Sequence, residues 1–173
     1  SDRIPRGALL TVGAISPEAL KAYLDDCDMD IMLAIDNCPN QIVLFGQNVE
    51  IEKASVELGK LGGLCARLPF GRAYHTPLFE GVSSEFRKFY QSVDVGPGHT
   101  QLYSCATTEL FNDDSADIRA LANSQWSSCV RFRETIERMH SEGFRVFVEA
   151  GTAGNLKSFV KDKNLQSKTV IVA

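Results

Sequence analysis

Three histidines, His75, His99 and His140, are the side chains best suited to move a proton near neutral pH. His99 sits in the Gly/Pro loop Val95-Gly-Pro-Gly-His99, and His140 lies on the polar side of a helical pattern, so both read as solvated surface residues. His75 has a different setting. It lies in Phe70-Gly-Arg-Ala-Tyr-His-Thr-Pro77, where an apolar strand pattern gives way to a Thr-Pro helix start. A neutral imidazole at such a junction can act as a general base. The commoner reading is a histidine bonded to the backbone of its own turn, and both stay open on this segment alone. A base needs a nucleophile, and no Gly-x-Ser-x-Gly elbow occurs, because Gly81-Val-Ser-Ser-Glu85 lacks the second glycine. Cys65 and Cys105 fall inside strand patterns, where thiols are buried and inert, Cys38 lies in a turn and Cys129 precedes a helix. No His/Cys/carboxylate set has metal-ligand spacing, so no metal is expected. Gly151-Thr-Ala-Gly154 lacks the third glycine and the Lys-Ser/Thr of a phosphate loop and reads as a packing turn. Arg131 and Arg133, near a helix start, could meet an anion but read as solvated.

Residues 7–72 supply the elements that would present His75. Gly7–Ala14 is a short apolar strand run, and Ser16-Pro17-Glu18 starts a helix with Leu20, Leu24 and Cys27 on one face. Asp30–Ile35 and Gln41–Gly46 read as strands joined through the turn Asp36-Asn-Cys-Pro-Asn40. Asn48 can cap a second helix with Ile51, Ala54, Leu58 and Leu61 on its apolar face, ended by Gly62-Gly63, and Leu64–Phe70 is again extended. This βαββαβ order predicts a ferredoxin-like subdomain within an α+β chain. Residues 73–173 alternate differently. A helix from Thr76 carries Phe79, Val82, Phe86 and Phe89, and Gln101–Ala106 reads as a strand. Helices with Ile118, Leu121 and Gln125 and with Phe132, Ile136 and Met139 follow. Strand Phe144–Glu149, a helix with Leu156, Phe159 and Val160, and the apolar run Thr169–Ala173 complete the pattern. This predicts an α/β layer with a parallel sheet of three strands, too few to be whole.

Composition narrows the classes. The 173 residues are 44% hydrophobic and 23% charged, which suits one or two packed domains and excludes disorder, collagen and coiled coil. A net charge of -4 gives no electrostatic case for nucleic acid, and no apolar run or leader suggests a membrane or export. Five scattered cysteines without a C-x-x-C pair read as reduced thiols of a cytoplasmic protein. The chain opens Ser1-Asp-Arg3 without Met and reads as a piece of a longer polypeptide.

Four segments in order carry a resemblance: Asp36-Asn-Cys-Pro-Asn-Gln-Ile-Val-Leu-Phe-Gly46, Leu68-Pro-Phe-Gly-Arg-Ala-Tyr-His-Thr-Pro-Leu-Phe79, Gln125-Trp-Ser-Ser-Cys-Val-Arg-Phe-Arg133 and Phe147-Val-Glu-Ala-Gly151. From Gly7 onward the chain resembles the C-terminal part of a malonyl-CoA:acyl carrier protein transacylase domain of type I polyketide synthases, with wording most similar to iterative, enediyne-type synthases. The resemblance implies a ferredoxin-like subdomain inserted into an α/β-hydrolase-like one, of which residues 73–173 are the C-terminal part. It makes His75 the catalytic base and gives Gln125 the backbone carbonyl that holds the other ring nitrogen. It puts Asn37 and Gln41 near the acyl and pantetheine end of the cleft. It further implies no bound cofactor, malonyl-CoA and the phosphopantetheine arm of an acyl carrier protein as substrates, and the remainder of the synthase as partner. The serine elbow and the carboxylate-gripping arginine of that family would precede Ser1, so the chain alone is expected to be inactive. Cys129 stands where proline is usual, and Thr152 stands where a Gly-Pro pair is common. A non-catalytic module is the alternative, docking an acidic carrier protein through Lys21, Lys53 or Lys60, although these lysines read first as solvated helix faces.

Overall fold

A computed structural model describes residues 3–96, 98–111, 114–151, 154–162 and 169–172. β1 (Ala8–Gly13), α1 (Pro17–Asp26), β2 (Met32–Cys38), β3 (Gln41–Gly46), α2 (Asn48–Lys60) and β4 (Leu64–Arg67) follow one another. Alternation divides the strands between two faces. Leu10, Val12, Ile42 and Leu44 pack with Leu20 of α1 and with Ile51, Ala54 and Leu58 of α2. Leu9, Ala34, Val43 and Phe45 form the opposite face, which is covered by Ala73. The hydroxyl of Ser16 accepts from the Ala19 amide at 3.1 Å and caps α1, with Pro17 at its first position. The cap of α2 sits one residue earlier than the sequence suggests. Gln47 is the cap, and its amide donates to the Glu50 carboxylate at 3.3 Å. Gly62, at φ +91°, ends α2 in the left-handed region.

The sheet has the order β4-β1-β3-β2-β5 and does not stop at residue 72. Its fifth strand is β5 (Val130–Arg131), parallel to β2 with Ile35 opposite Val130 and Asp36 opposite Arg131. The other pairs are antiparallel. Two residues are too short a run to leave a period in a sequence, so β5 was not legible.

The helix expected from Thr76 is two pieces, a 3₁₀ stretch Pro77–Val82 and α3 (Ser83–Ser92). Then come α4 (Ser115–Ser124), a 3₁₀ turn Gln125–Ser127, α5 (Phe132–Ser141), β6 (Val146–Val148), α6 (Asn155–Asp162) and β7 (Val170–Val172). The strand expected at Gln101–Ala106 is corrected. Only the bridge Tyr103 to Leu110 forms there, while Thr108 N–H turns back to Ser104 O at 2.7 Å and the Ser104 hydroxyl accepts from Ala106 N–H at 3.1 Å. Local serine bonding takes the backbone groups that a ladder would have used. Among the described residues the parallel sheet of this half has two strands, β6 and β7, instead of three. No helix among them is long and apolar enough to cross a membrane.

Polar side-chain ties join the halves beside the β2–β5 pairing. The hairpin tip at Asn40 donates to the Asp162 carboxylate through its amide at 3.2 Å and its side chain at 2.6 Å. Arg133, near the start of α5, donates to Asp36 of β2 through Nε at 2.8 and 3.0 Å and Nη2 at 2.6 Å.

Candidate functional site

His75 occupies the turn that leaves the five-stranded sheet. The turn is pinned on both sides. Ala73 N–H donates to Pro5 O at 3.0 Å, and the buried Thr76 hydroxyl donates to Ala73 O at 2.9 Å. Between them His75 has φ +60°, a left-handed conformation that a side-chain-bearing residue adopts only when its surroundings hold it there. The 3₁₀ turn after α4 does that holding. His75 N–H donates to Trp126 O at 2.9 Å, and Nδ1 lies 3.1 Å from Gln125 O.

A carbonyl oxygen can only accept, so Nδ1 carries the proton and the neutral ring keeps its lone pair on Nε2. The half-buried imidazole lines a cavity of about 280 Å³ together with Gln125, Ser128, Cys129, Val130 and residues 102–106. That arrangement is an oriented base beside open space, able to take a proton from a hydroxyl or thiol brought into the cavity.

Trp126 gives the turn its rigidity. Its ring stacks on His75 with centroids 6.0 Å apart and planes at 11°. Phe79 lies 5.8 Å away at 22°, and Phe86 and Tyr74 lie 5.8 and 6.2 Å away. The indole N–H donates to the Tyr90 hydroxyl at 3.0 Å. The Ser127 hydroxyl donates to Glu80 at 3.2 Å.

Among the described residues the cavity is also lined by two thiols, and neither is an activated nucleophile. Burial, reinforced by the Asp36 charge, pushes the Cys129 thiol up to about 11, and burial raises Cys105 as well. Both remain thiols at neutral pH. The Ser128 hydroxyl donates its proton to Ser124 O at 2.9 Å.

Asn37 and Gln41 are brought to one another, Asn37 Nδ2 donating to Gln41 Oε1 at 2.9 Å across the β2–β3 turn, while other residues line the cavity at His75. Arg133 is not the solvated arginine the sequence suggested. It closes a fork on Asp36, whose side chain is 5% exposed. The available signal was a carboxylate at the end of the apolar strand run Ile31–Ile35, where a buried charge requires a partner. Arg131 is held by Glu134 at 3.3 Å and Ala106 O at 3.2 Å. Lys21 pairs with Asp25, while Lys53 and Lys60 lie exposed on α2. His99 is exposed and His140 half-buried on α5. Thr152 and part of the Gly151–Gly154 turn lie outside the described residues. Among the described residues, no group of three His, Cys, Asp or Glu side chains could hold a metal ion.

No family model matches the chain. It is 29% identical over 172 residues to the malonyl CoA-acyl carrier protein transacylase of Bacillus subtilis strain 168, covering 96% of this chain and 54% of that protein. It is 25% identical over 172 residues to the phenolphthiocerol synthesis polyketide synthase type I Pks15/1 of Mycobacterium marinum, covering 96% of this chain and 8% of the synthase. The crystal structure of the malonyl CoA-acyl carrier protein transacylase from Clostridium perfringens superposes with a TM-score of 0.82 at 25% identity, over 98% of this chain and 54% of that one. A malonyl-transacylase solved in complex with its type II polyketide synthase acyl-carrier protein shares the fold, with a TM-score of 0.84 at 18% identity over 99% of this chain and 56% of that one. The chain thus spans about half the length of the transacylases it matches.

Proposed function

We propose that this chain is the His-bearing part of an acyltransferase that moves a malonyl group, or a related acyl group, from coenzyme A to the phosphopantetheine thiol of an acyl carrier protein. The observation that carries the reading is the His75 imidazole, its Nδ1–H given to the Gln125 carbonyl at 3.1 Å and its Nε2 left as a base at a cavity. The likeness to transacylases over nearly the whole chain supports the same reaction class.

In this reading a serine outside the chain is the nucleophile. Nε2 takes the hydroxyl proton as Oγ attacks the thioester carbon. The tetrahedral adduct then collapses to an acyl-serine and expels the coenzyme A sulfur, which leaves with the proton from the imidazolium. In the second half the carrier thiol attacks the acyl-serine, Nε2 takes the thiol proton, and the serine oxygen recovers it on leaving. The Gln125 carbonyl fixes the tautomer and stabilises the imidazolium at both stages.

The strand order β4-β1-β3-β2 with α1 and α2 on one face supports a ferredoxin-like subdomain over residues 7–72. Residues 73–173 would then be the C-terminal part of an α/β-hydrolase-like subdomain, with β5 shared across the boundary. Asn37 and Gln41, bonded as a pair at the hairpin, would meet the acyl or pantetheine end of the cleft. Five free thiols fit a reducing, cytoplasmic setting. The parent is taken to be an iterative, enediyne-type synthase on the wording of residues 36–46 and 68–79.

The test is transfer itself. The complete acyltransferase domain containing this chain is mixed with malonyl-CoA and a phosphopantetheinylated carrier protein, and the carrier is weighed by mass spectrometry. Malonyl-carrier is expected from the domain and none from residues 1–173 alone. A carrier left unmodified by a folded domain refutes the reading, and stable acylation of the isolated chain refutes the placement of the nucleophile.

A further inference from the structure

We propose that Tyr90, on α3, is a positioning residue for His75, acting through Trp126. The inference rests on the reading of His75 as the base, but its test does not.

Trp126 reaches His75 in three ways. Its carbonyl accepts the His75 amide at 2.9 Å, its ring stacks on the imidazole, and the Gln125 carbonyl that takes Nδ1–H belongs to the peptide joining Gln125 to Trp126. The indole is thus attached to the backbone that carries both acceptors. The aromatic cluster limits where the indole can lie, but ring packing tolerates small rotations and slides, because offset and tilted arrangements are close in energy. The hydrogen bond from Nε1 to the Tyr90 hydroxyl at 3.0 Å is the directional constraint, and it is partly buried, where an indole N–H without an acceptor is costly.

Tyr90 itself is anchored on α3, whose Phe86 packs on both Trp126 and Phe79, so the constraint is referred to a helix rather than to a loop. The φ of +60° at His75 makes the point of application sensitive. A residue held in the left-handed region by its neighbours relaxes when those neighbours gain freedom, and its Nδ1–H then loses alignment with the carbonyl.

Tyr90→Phe removes only the oxygen that accepts the indole proton. The readout is the tautomer ratio of His75, from the ¹⁵N shifts of the ring nitrogens in the labelled complete domain that contains this chain. Parent protein is expected to hold His75 mainly as the Nδ1–H form. In Tyr90→Phe the ratio of Nδ1–H to Nε2–H is expected to fall about two- to tenfold, the range that corresponds to loss of one ordinary hydrogen bond. Trp126→Phe keeps a ring in the cluster and drops the N–H, so it carries the same expectation should Tyr90→Phe fail to fold. The double variant should fall no further than the lower of the two single variants.

Tyr23→Phe is the control. It deletes a hydroxyl of the same kind that bonds Glu57 at 2.9 Å on the helix side of the sheet, and it should leave the His75 ratio at the parent value. A parent-like ratio in Tyr90→Phe, or an equal fall in Tyr23→Phe, overturns the proposal. In the complete domain the expected kinetic counterpart is a lower kcat with KM nearly unchanged. A shifted ratio in a domain whose parent form transfers no acyl group would uphold Tyr90 as a positioning residue and remove the transferase reading instead.

Discussion

Arg133→Met removes one of the ties between the two halves of this fold. The substitution keeps most of the side-chain volume and removes the guanidinium that donates to Asp36 at 2.6, 2.8 and 3.0 Å. The partner left behind is a carboxylate only 5% exposed, at a position where β2 pairs with β5, so water reaches it poorly. Breaking a buried pair from one side costs about 3–5 kcal/mol, and the 34% exposure of Arg133 trims the expected loss to about 2–4 kcal/mol. In a chain of this size that is a fall in Tm of roughly 4–16 °C.

The reverse substitution should be milder. Asp36→Asn leaves an arginine that can turn toward solvent and an amide of nearly the same shape, with a cost of about 1–2 kcal/mol. Asp36→Leu with Arg133→Met should recover much of the loss, because two apolar groups of matching volume replace a charge pair without stranding either member. Urea unfolding of the four proteins at neutral pH, with slopes compared to confirm a common transition, reads all three quantities. Equal losses below about 0.5 kcal/mol in both single variants would show the pair to be screened like a surface contact. A double variant that loses as much as Arg133→Met alone would show that the stranded carboxylate is not the source of the loss.

Cys38 and Cys129 share a pH signature. Burial, aided by the Asp162 and Asp36 charges respectively, moves each thiol up to about 11, so the folded chain binds these protons more tightly than the unfolded chain does. The associated stability is present below the ordinary thiol range, near 8.5, and is lost as pH rises through about 11. The urea midpoint should therefore drift down between about pH 9 and 11, and replacement of both cysteines by alanine should flatten the drift. At pH 8 iodoacetamide should modify neither residue until the protein unfolds. Ser16→Ala should cost about 1 kcal/mol by removing the acceptor for the Ala19 amide at the start of α1, with the loss read as a lower urea midpoint at unchanged slope.

The first half of the molecule was legible because each element there is long enough to show its period. Leu10 and Val12 on one face and Leu9 on the other follow the two-residue repeat, and Ile51, Ala54 and Leu58 follow the helical one. The setting of His75 was legible: a histidine at a turn between a strand and a helical stretch. Its support was not. The Gln125 carbonyl is a backbone group and leaves no mark in side-chain chemistry, so Gln125 entered through resemblance and not through spacing. Trp126 lies in a Gln-Trp-Ser-Ser stretch whose contacts run to residues 36 to 52 positions away, a separation no local pattern records. Gln101–Ala106 misled because its residues suit a strand, while Ser104 supplies competing bonds within its own turn. Asp36 and Arg133, 97 positions apart, were each read alone as a turn residue and a solvated cation, and only the fold joins them.

In the proposed reaction Nε2 of His75 moves the proton. In the complete domain, single-turnover transfer of malonyl from coenzyme A to the carrier should slow by about 10²–10⁴-fold in His75→Ala, with malonyl-CoA binding little changed. Transfer at the parent rate in a folded His75→Ala domain would contradict the account.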